Sequence, residues 1–253
     1  MTLFVSSHYK NSPNDLQLLS DAPAHAIFVL MGPLNQNGKN EVPDILCAVQ
    51  VCFEGKISKN SVLQSNDRGL KPSGDLVPWT IYEQYQDNDF PQLNGVRVVR
   101  IATHSLAQKM GYGSRALELL EKFFDGQMIG VSEDKPLITF EQFDRGDHEE
   151  VKENGEPLLT EAVKPKKKLQ PILKKLGEVQ PPPMDYLSVS FGINTELFNF
   201  WKKNGFSPVY IRQTINETTG ENSSIMIKPL QNSLVFKPKY SITDQQDENA
   251  SNI

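Results

Sequence analysis

Gln108, Lys109, Met110, Gly111, Tyr112, Gly113 and Ser114 form a Gln-x-x-Gly-x-Gly turn between a strand pattern and a helix pattern. A helix N-terminus carries main-chain N–H groups with no partner inside the helix, together with the positive end of the helix dipole, and the two can hold a diphosphate. Gly111 and Gly113 let the chain come close to such an anion, and a side chain at Gly113 is expected to occupy phosphate space. A lone Gly-x-Gly after a strand is more often only a tight turn, so this reading depends on the elements around it. His8, with the hydroxyls of Ser6 and Ser7 beside it, reads either as a general base toward an attacking amine or as a surface or capping histidine. His104 and Trp201 read as structural. Lys164, Lys166, Lys167 and Lys168 read as a solvated charge run that would also suit RNA phosphates.

The elements that must position these residues follow from periodicity. Residues 1–6 are β-prone with apolar alternation and predict a strand, and Ser12-Pro13 predicts a helix start for residues 14–19. Two apolar runs, 26–31 and 45–53, predict neighbouring antiparallel strands. Ser58 is placed to cap a short helix through Leu63, and residues 65–75 read as a loop leading to Pro78-Trp79. Residues 96–102 predict a strand with a bulge near its end. After the glycine turn, Leu117, Leu119, Leu120, Phe123 and Phe124 recur at helical spacing and Gly126 is a stop signal. A strand over 186–191, a helix over 195–204 closed by Gly205, and strands over 206–212 and 224–227 complete the pattern.

The chain has 253 residues, enough for one substantial core or at most two small ones. We expect one domain over residues 1–230, interrupted by a charged, proline-containing excursion at about 125–183 with a helix near 158–163, and a polar tail over 231–253 that is disordered at its end. Against 26 basic residues stand 31 acidic ones, a net charge of −5, which excludes a free-standing electrostatic nucleic-acid binder and makes any basic surface local. Cys47 and Cys52 lie an odd number of residues apart in a strand pattern, so they face opposite ways and do not pair. A charged-then-apolar leader and apolar runs approaching ~18 residues are both missing, which points away from secretion and membrane spanning and toward a reducing interior. Asn216-Glu217-Thr218 then carries no glycosylation meaning.

The order strand, glycine turn, helix, strand, helix and hairpin resembles a GNAT acyl-coenzyme A N-acyltransferase. That resemblance implies an α/β (α+β) fold with a mixed, mostly antiparallel sheet whose central strands splay apart, flanked by helices. The strand over 97–104 would pair its backbone with the amides of the pantetheine arm, and the strand over 186–191 would stand apart from it so that the thioester sits between them. An N–H near Ala102 or Thr103 is expected to stabilise the oxyanion.

Several segments go further. Val5-Ser6-Ser7-His8-Tyr9-Lys10-Asn11-Ser12-Pro13-Asn14-Asp15-Leu16-Gln17, residues 20–25, Ser73-Gly74-Asp75-Leu76-Val77-Pro78-Trp79-Thr80, residues 97–120 and residues 185–228 together resemble the eukaryotic RNA cytidine acetyltransferases, relatives of the bacterial tRNA(Met) enzyme. The first and third of these are not shared by GNAT enzymes at large. The resemblance implies transfer of acetyl from acetyl-coenzyme A to the exocyclic amine of cytidine in 18S ribosomal RNA and tRNA, in the nucleolus, in the service of ribosome biogenesis, with tRNA or rRNA adaptor proteins as further partners. It implies cofactor contacts at Ile101, Ala102, Thr103, Gln108, Lys109, Met110, Gly111, Tyr112, Gly113, Ser114 and Lys203, where the family often has Arg, and a catalytic role for His8. No metal is implied. Family members are several times longer and use ATP through a helicase-like module; this chain has no Gly-x-x-x-x-Gly-Lys-Ser/Thr motif. Two other readings remain at the level of sequence: a GNAT enzyme acting on protein lysines or small amines, and an incomplete module that binds acetyl-coenzyme A without turnover.

Overall fold

The computed structural model of the chain describes residues 2–7, 14, 17, 19, 22–33, 43–68, 74–128, 138–139, 173–216 and 220–233. By contact the chain divides into two compact units, Met1–Glu121 with Met184–Ile253, and Lys122–Pro183. Within the second unit the described strands β4 (Ile138–Thr139) and β5 (Val179–Gln180) pair in parallel.

The first unit is built on a six-stranded sheet. In chain order its strands are β1 (His25–Met31), β2 (Ile45–Gly55), β3 (Asn94–Thr103), β6 (Tyr186–Gly192), β7 (Ser207–Ile211) and β8 (Ser223–Pro229), and across the sheet they stand β1-β2-β3-β6-β8-β7. Every neighbouring pair is antiparallel except β3 with β6, which is parallel. A parallel pair needs a crossover. Here it includes α4 (Tyr112–Phe124). The expected strands over 26–31, 45–53, 96–102 and 186–191 and the final pair are all present. So is the bulge: Gln50 faces Arg100 while Val51 faces Val98, leaving Val99 as the extra residue of β3.

Cross-strand partners share a face of the sheet, which sorts the side chains into two sets. Val49, Val51, Val96, Val98, Leu187 and Val189 point to one face, where α4 and α5 (Thr195–Lys203) pack. Trp201 of α5 is buried there among Phe191, Phe200 and Phe206 at ring separations of 5.0 to 6.2 Å, the core role expected for it. The other face carries Ala48, Ala102 and Tyr186. It is covered by α1 (Thr2–Ser7), whose Phe4 packs on Ala48 and Ala102, and by α3 (Leu76–Tyr85), whose Val77 and Ile81 pack on Tyr186, Ile225 and Ile227. Gly95 is required on that face because a Cβ there would lie 2.3 Å from the Tyr186 ring.

Two expectations are corrected. Residues 1–6 do not form a strand: α1 buries Phe4, leaves Val5 and Ser6 exposed, and Ser6 Oγ donates to the Leu3 carbonyl at 3.0 Å. Tertiary packing of one apolar face outweighs a β-prone composition. Residues 65–75 are not simply a loop either. Ser58 does cap a helix, its Oγ accepting from Ser61 N at 3.2 Å, but that helix, α2, spans Lys59–Arg68, and α3 follows unforeseen. The expected helices over 14–19 and 158–163 lie mostly or wholly outside the described residues, as does most of the tail.

The start of α3 explains why it escaped the sequence. Asp75 sits in the left-handed region with no side-chain cap of its own, and the cap comes from β2: Glu54 Oε2 accepts from Val77 N at 3.1 Å. Asp75 returns the bond, accepting from Gly55 N at 2.8 Å. The Glu54 side chain is 1% exposed and its other oxygen holds the guanidinium of Arg97. Removing one member of a buried ion pair leaves the other charge uncompensated, at about 3–5 kcal/mol. Glu54→Ala is therefore expected to lower the unfolding free energy by about 3 kcal/mol or more, read from the urea midpoint.

On the same face, Gln50 Nε2 donates to His25 Nδ1 at 3.0 Å, which keeps the imidazole neutral; burial, then the nearby Arg97 charge, lower its pKa from 6.5. The unfolded chain then binds the proton more readily, so this contribution is complete above pH 6.5 and is lost as pH falls below it. Between about pH 7.5 and pH 5.5 the wild-type urea midpoint should fall further than that of His25→Gln.

Candidate active site

β3 and β6 are joined at one end and parted at the other. Asn94 N donates to Asp185 Oδ2 and Asp185 N to the Asn94 carbonyl, both at 2.8 Å, so the strands start clamped together. Their pairing runs from Gly95 with Tyr186 to Val98 with Val189 and ends there, although β3 continues to Thr103 and β6 to Gly192. The Val99 bulge lies where it stops. Beyond that point β3 keeps only β2 as neighbour. His104 N donates to the Leu46 carbonyl on the β2 side at 2.9 Å. Since N–H directions alternate along a strand, Ala102 N–H faces β2, and those of Ile101 and Thr103 face the gap.

At the open end of the gap the chain turns. His104 caps a short 3₁₀ turn, its Nδ1 accepting from Leu106 N at 3.3 Å, in keeping with a structural role. The main chain then passes through Gln108 to Gly111 into α4, whose first internal bond runs from Arg115 N to the Gly111 carbonyl at 3.0 Å. The N–H groups of Gly111, Tyr112, Gly113 and Ser114 come before that bond and, as at any helix N-terminus, have no partner inside α4. Such amides at a helix N-terminus, reached through a glycine turn, suit an anion.

The two glycines have different reasons. Gly111 has φ +88°, and a Cβ there would meet nothing within 4 Å, so backbone conformation demands it. Gly113 is helical; a Cβ there would lie 3.5 Å from Thr103 Oγ1 and 3.6 Å from the Phe200 ring. A methyl would fit there at ordinary contact, whereas a longer side chain would meet the end of β3 and α5. Lys109 has φ 62°, a left-handed conformation that costs a lysine about 1 kcal/mol and a glycine nothing.

A cavity of about 530 Å³ runs between α4 and the end of α5. Gly111, Ser114, Arg115, Glu118 and Glu121 line it on the α4 side, Leu117, Leu187 and Phe206 give it apolar lining, and Lys203 lines it from the end of α5. Charge is unevenly balanced there. Arg115 pairs with Glu118 at 2.8 Å, and Lys228 Nζ donates to Glu121 at 2.6 Å and to the Asn204 carbonyl at 3.1 Å. Lys203 has no partner among the described residues, leaving one cation for an anionic ligand.

The structure thus brings Gly111, Ser114 and Lys203 onto one cavity, with the Ile101 and Thr103 N–H groups turned into the gap beyond the paired part of β3 and β6, while His8 lies outside the described residues. Sequence reading missed Arg115, Glu118 and Glu121. Their spacing from Gly111 along one helix face was a usable signal, whereas Lys228 enters from a distant strand and left none. Neither cysteine is built as a nucleophile. Both are free: Cys47 lies under Thr103, and burial pushes the Cys52 thiol up to about 11. Among the described residues no group of three or more His, Cys, Asp or Glu side chains is placed to hold a metal, and no helix is long and apolar enough to cross a membrane.

The GNAT acetyltransferase 2 family profile matches residues 1–231. The chain belongs to this family. Its relatives agree: the chain is 50% identical over 237 residues to the RNA cytidine acetyltransferase of Dictyostelium discoideum and 51% identical over 230 residues to that of Homo sapiens, in each case over 91% of this chain. It spans 22% of the length of each. Among solved structures, the Escherichia coli ribosomal-protein-S18-alanine N-acetyltransferase is similar over 92% of this chain and 86% of that one, at 11% identity and a TM-score of 0.40, too distant to carry an argument.

For a GNAT acetyltransferase the cradle and cavity suit the diphosphate end of coenzyme A. Gly113→Glu forces a charged side chain against Thr103, Phe200 and the amides at the start of α4. It is expected to weaken coenzyme A binding at least about 100-fold, ~2.7 kcal/mol by calorimetry, with the fold retained by circular dichroism.

Proposed function

We propose that this chain is the acetyl-transfer module of an RNA cytidine acetyltransferase, moving acetyl from acetyl-coenzyme A to the exocyclic amine of cytidine. The observation that carries the reading is the parted end of β3 and β6, followed in the chain by the glycine turn that opens α4, whose first residues share a cavity with Lys203. The substrate is drawn from the names of relatives about half identical to it.

Acetyl-coenzyme A supplies an acetyl group activated as a thioester. The amides of residues 109–114 and the Lys203 ammonium hold its phosphates, and the Ile101 and Thr103 N–H groups, turned into the gap, pair with its amide-bearing arm. Cytosine's exocyclic nitrogen has its lone pair delocalised into the ring and is a poor nucleophile, so its proton must leave as the new C–N bond forms, and the thioester C–S bond breaks to release coenzyme A as the thiolate. His8 is the base in this reading, a role worth about 10²-fold or more. α1, which precedes it, packs through Phe4 on Ala102, on the sheet face opposite α4 and α5. The target base must be unpaired or flipped to enter.

The substrates on this reading are small-subunit ribosomal RNA and tRNA, met in the nucleolus, with ATP use and much of the RNA grip supplied by parts of the longer relatives that this chain does not match. Mass spectrometry of nucleosides from RNA incubated with the protein and labelled acetyl-coenzyme A tests it: labelled N4-acetylcytidine is expected. Label found only on peptide or polyamine acceptors would refute it. His8→Ala is expected to lose about 99% of transfer while coenzyme A affinity is unchanged; full transfer in that variant removes His8 from the mechanism.

A further inference from the structure

Glu221, in the turn before β8, has a carboxylate that the acetyl-transfer geometry leaves unused. Its Oε2 is shut off from solvent and has no hydrogen-bond partner among the described residues. It lies over Gly192, the last residue of β6: a Cβ at Gly192 would stand 2.3 Å from Oε2 and 3.1 Å from the carboxyl carbon. Gly192 is the residue type that leaves room for it.

The carboxylate is fixed from its main chain. Asn216 N donates to the Glu221 carbonyl at 2.9 Å, Ile193 N to the Asn222 carbonyl at 2.8 Å and Arg212 N to the Ser223 carbonyl at 2.8 Å. Parity along β6 places Gly192 on the same face as Tyr186, Ser188 and Ser190, the face covered by α1 and α3. α4 and α5 are on the other side. Glu221 therefore stands at the open end of the gap, on the side away from the cofactor cavity.

A buried carboxylate oxygen without a donor is costly, and the cost is removed when a ligand brings an N–H to it. An acyl acceptor brings N–H groups. We propose that Glu221 is the acceptor-recognition residue, taking a hydrogen bond from one N–H of the exocyclic amine and so orienting the nitrogen toward the gap. This rests on the acetyl-transfer reading and adds a basis for choice of base. Carboxylates accept from the cytosine amino group, whereas uridine presents a carbonyl oxygen at the same position, and two acceptors repel.

The test uses the full chain saturated with coenzyme A, titrated with cytidine and with uridine by saturation-transfer NMR, as wild type, Glu221→Gln and Glu221→Asp. Wild type is expected to favour cytidine at least about tenfold. Glu221→Gln should abolish that preference, and Glu221→Asp should keep part of it. Coenzyme A affinity should not change, and the unfolding midpoint of Glu221→Gln should be equal or higher, because a carboxylate with one buried, unpartnered oxygen gives way to a neutral amide. No preference in the wild type, the same preference in Glu221→Gln, or a loss matched by weaker coenzyme A binding or a lower midpoint overturns the inference. Acetyl transfer is read alongside. If wild type prefers cytidine yet acetylates only peptide or polyamine amines, the RNA reading fails while the role of Glu221 in recognising the base stands.

Discussion

Two parallel strands that are hydrogen-bonded at one end and not at the other are the constraint on which the rest of this structure depends. Asp185 clamps the start of β3 to the start of β6, four residue pairs follow, and the Val99 bulge marks the point where the ladder stops. A strand edge left open inside a sheet carries main-chain groups that must find partners or cost about 1–3 kcal/mol each. The adjoining turn adds the N–H groups at the start of α4. A ligand with many acceptors suits such a run of donors, and a diphosphate followed by an amide-bearing arm has that character.

The gap also divides the labour between the two faces of the sheet. One face is apolar up to the cavity and carries α4 and α5, which meet the gap through the glycine turn, Thr103 and Phe200. The other is crossed by a polar strip, His25, Gln50, Glu54 and Arg97, between the helices that cover its ends. That strip does structural work. Glu54 caps α3 and neutralises Arg97, and Asp75 answers from the helix side, so β2, β3 and α3 are tied together by two carboxylates, of which Glu54 is almost wholly out of water. The face that is expected to meet the acceptor is thereby held rigid around an opening, and Glu221 stands at its rim.

The glycines around the gap are there for different reasons. Gly111 is set by its backbone angle and Gly192 by the carboxylate lying over it, while Gly113 sits at ordinary contact distance from Thr103 and Phe200, where only a longer side chain would be excluded. Each reason is visible only from a neighbour that is remote in the chain or from a torsion angle.

What the sequence determined on its own is what depends on near neighbours. The helical spacing from Leu117 to Phe124, the stops at Gly126 and Gly205, the Ser58 cap, the apolar runs of β1 and β2 and the glycine turn all follow from propensities and periodicities that act over a few residues. They sufficed to order the elements and to place the cradle. Only the tertiary structure decided that residues 2–7 coil against Ala48 and Ala102 instead of extending, that α3 begins where Glu54 reaches Val77 across 23 positions of chain, and that Lys203 lines one cavity with Gly111 and Ser114. Each of these is a balance between a local preference and a contact made by a distant residue. A local pattern carries no information about which distant group will supply the missing hydrogen bond or fill the adjacent space.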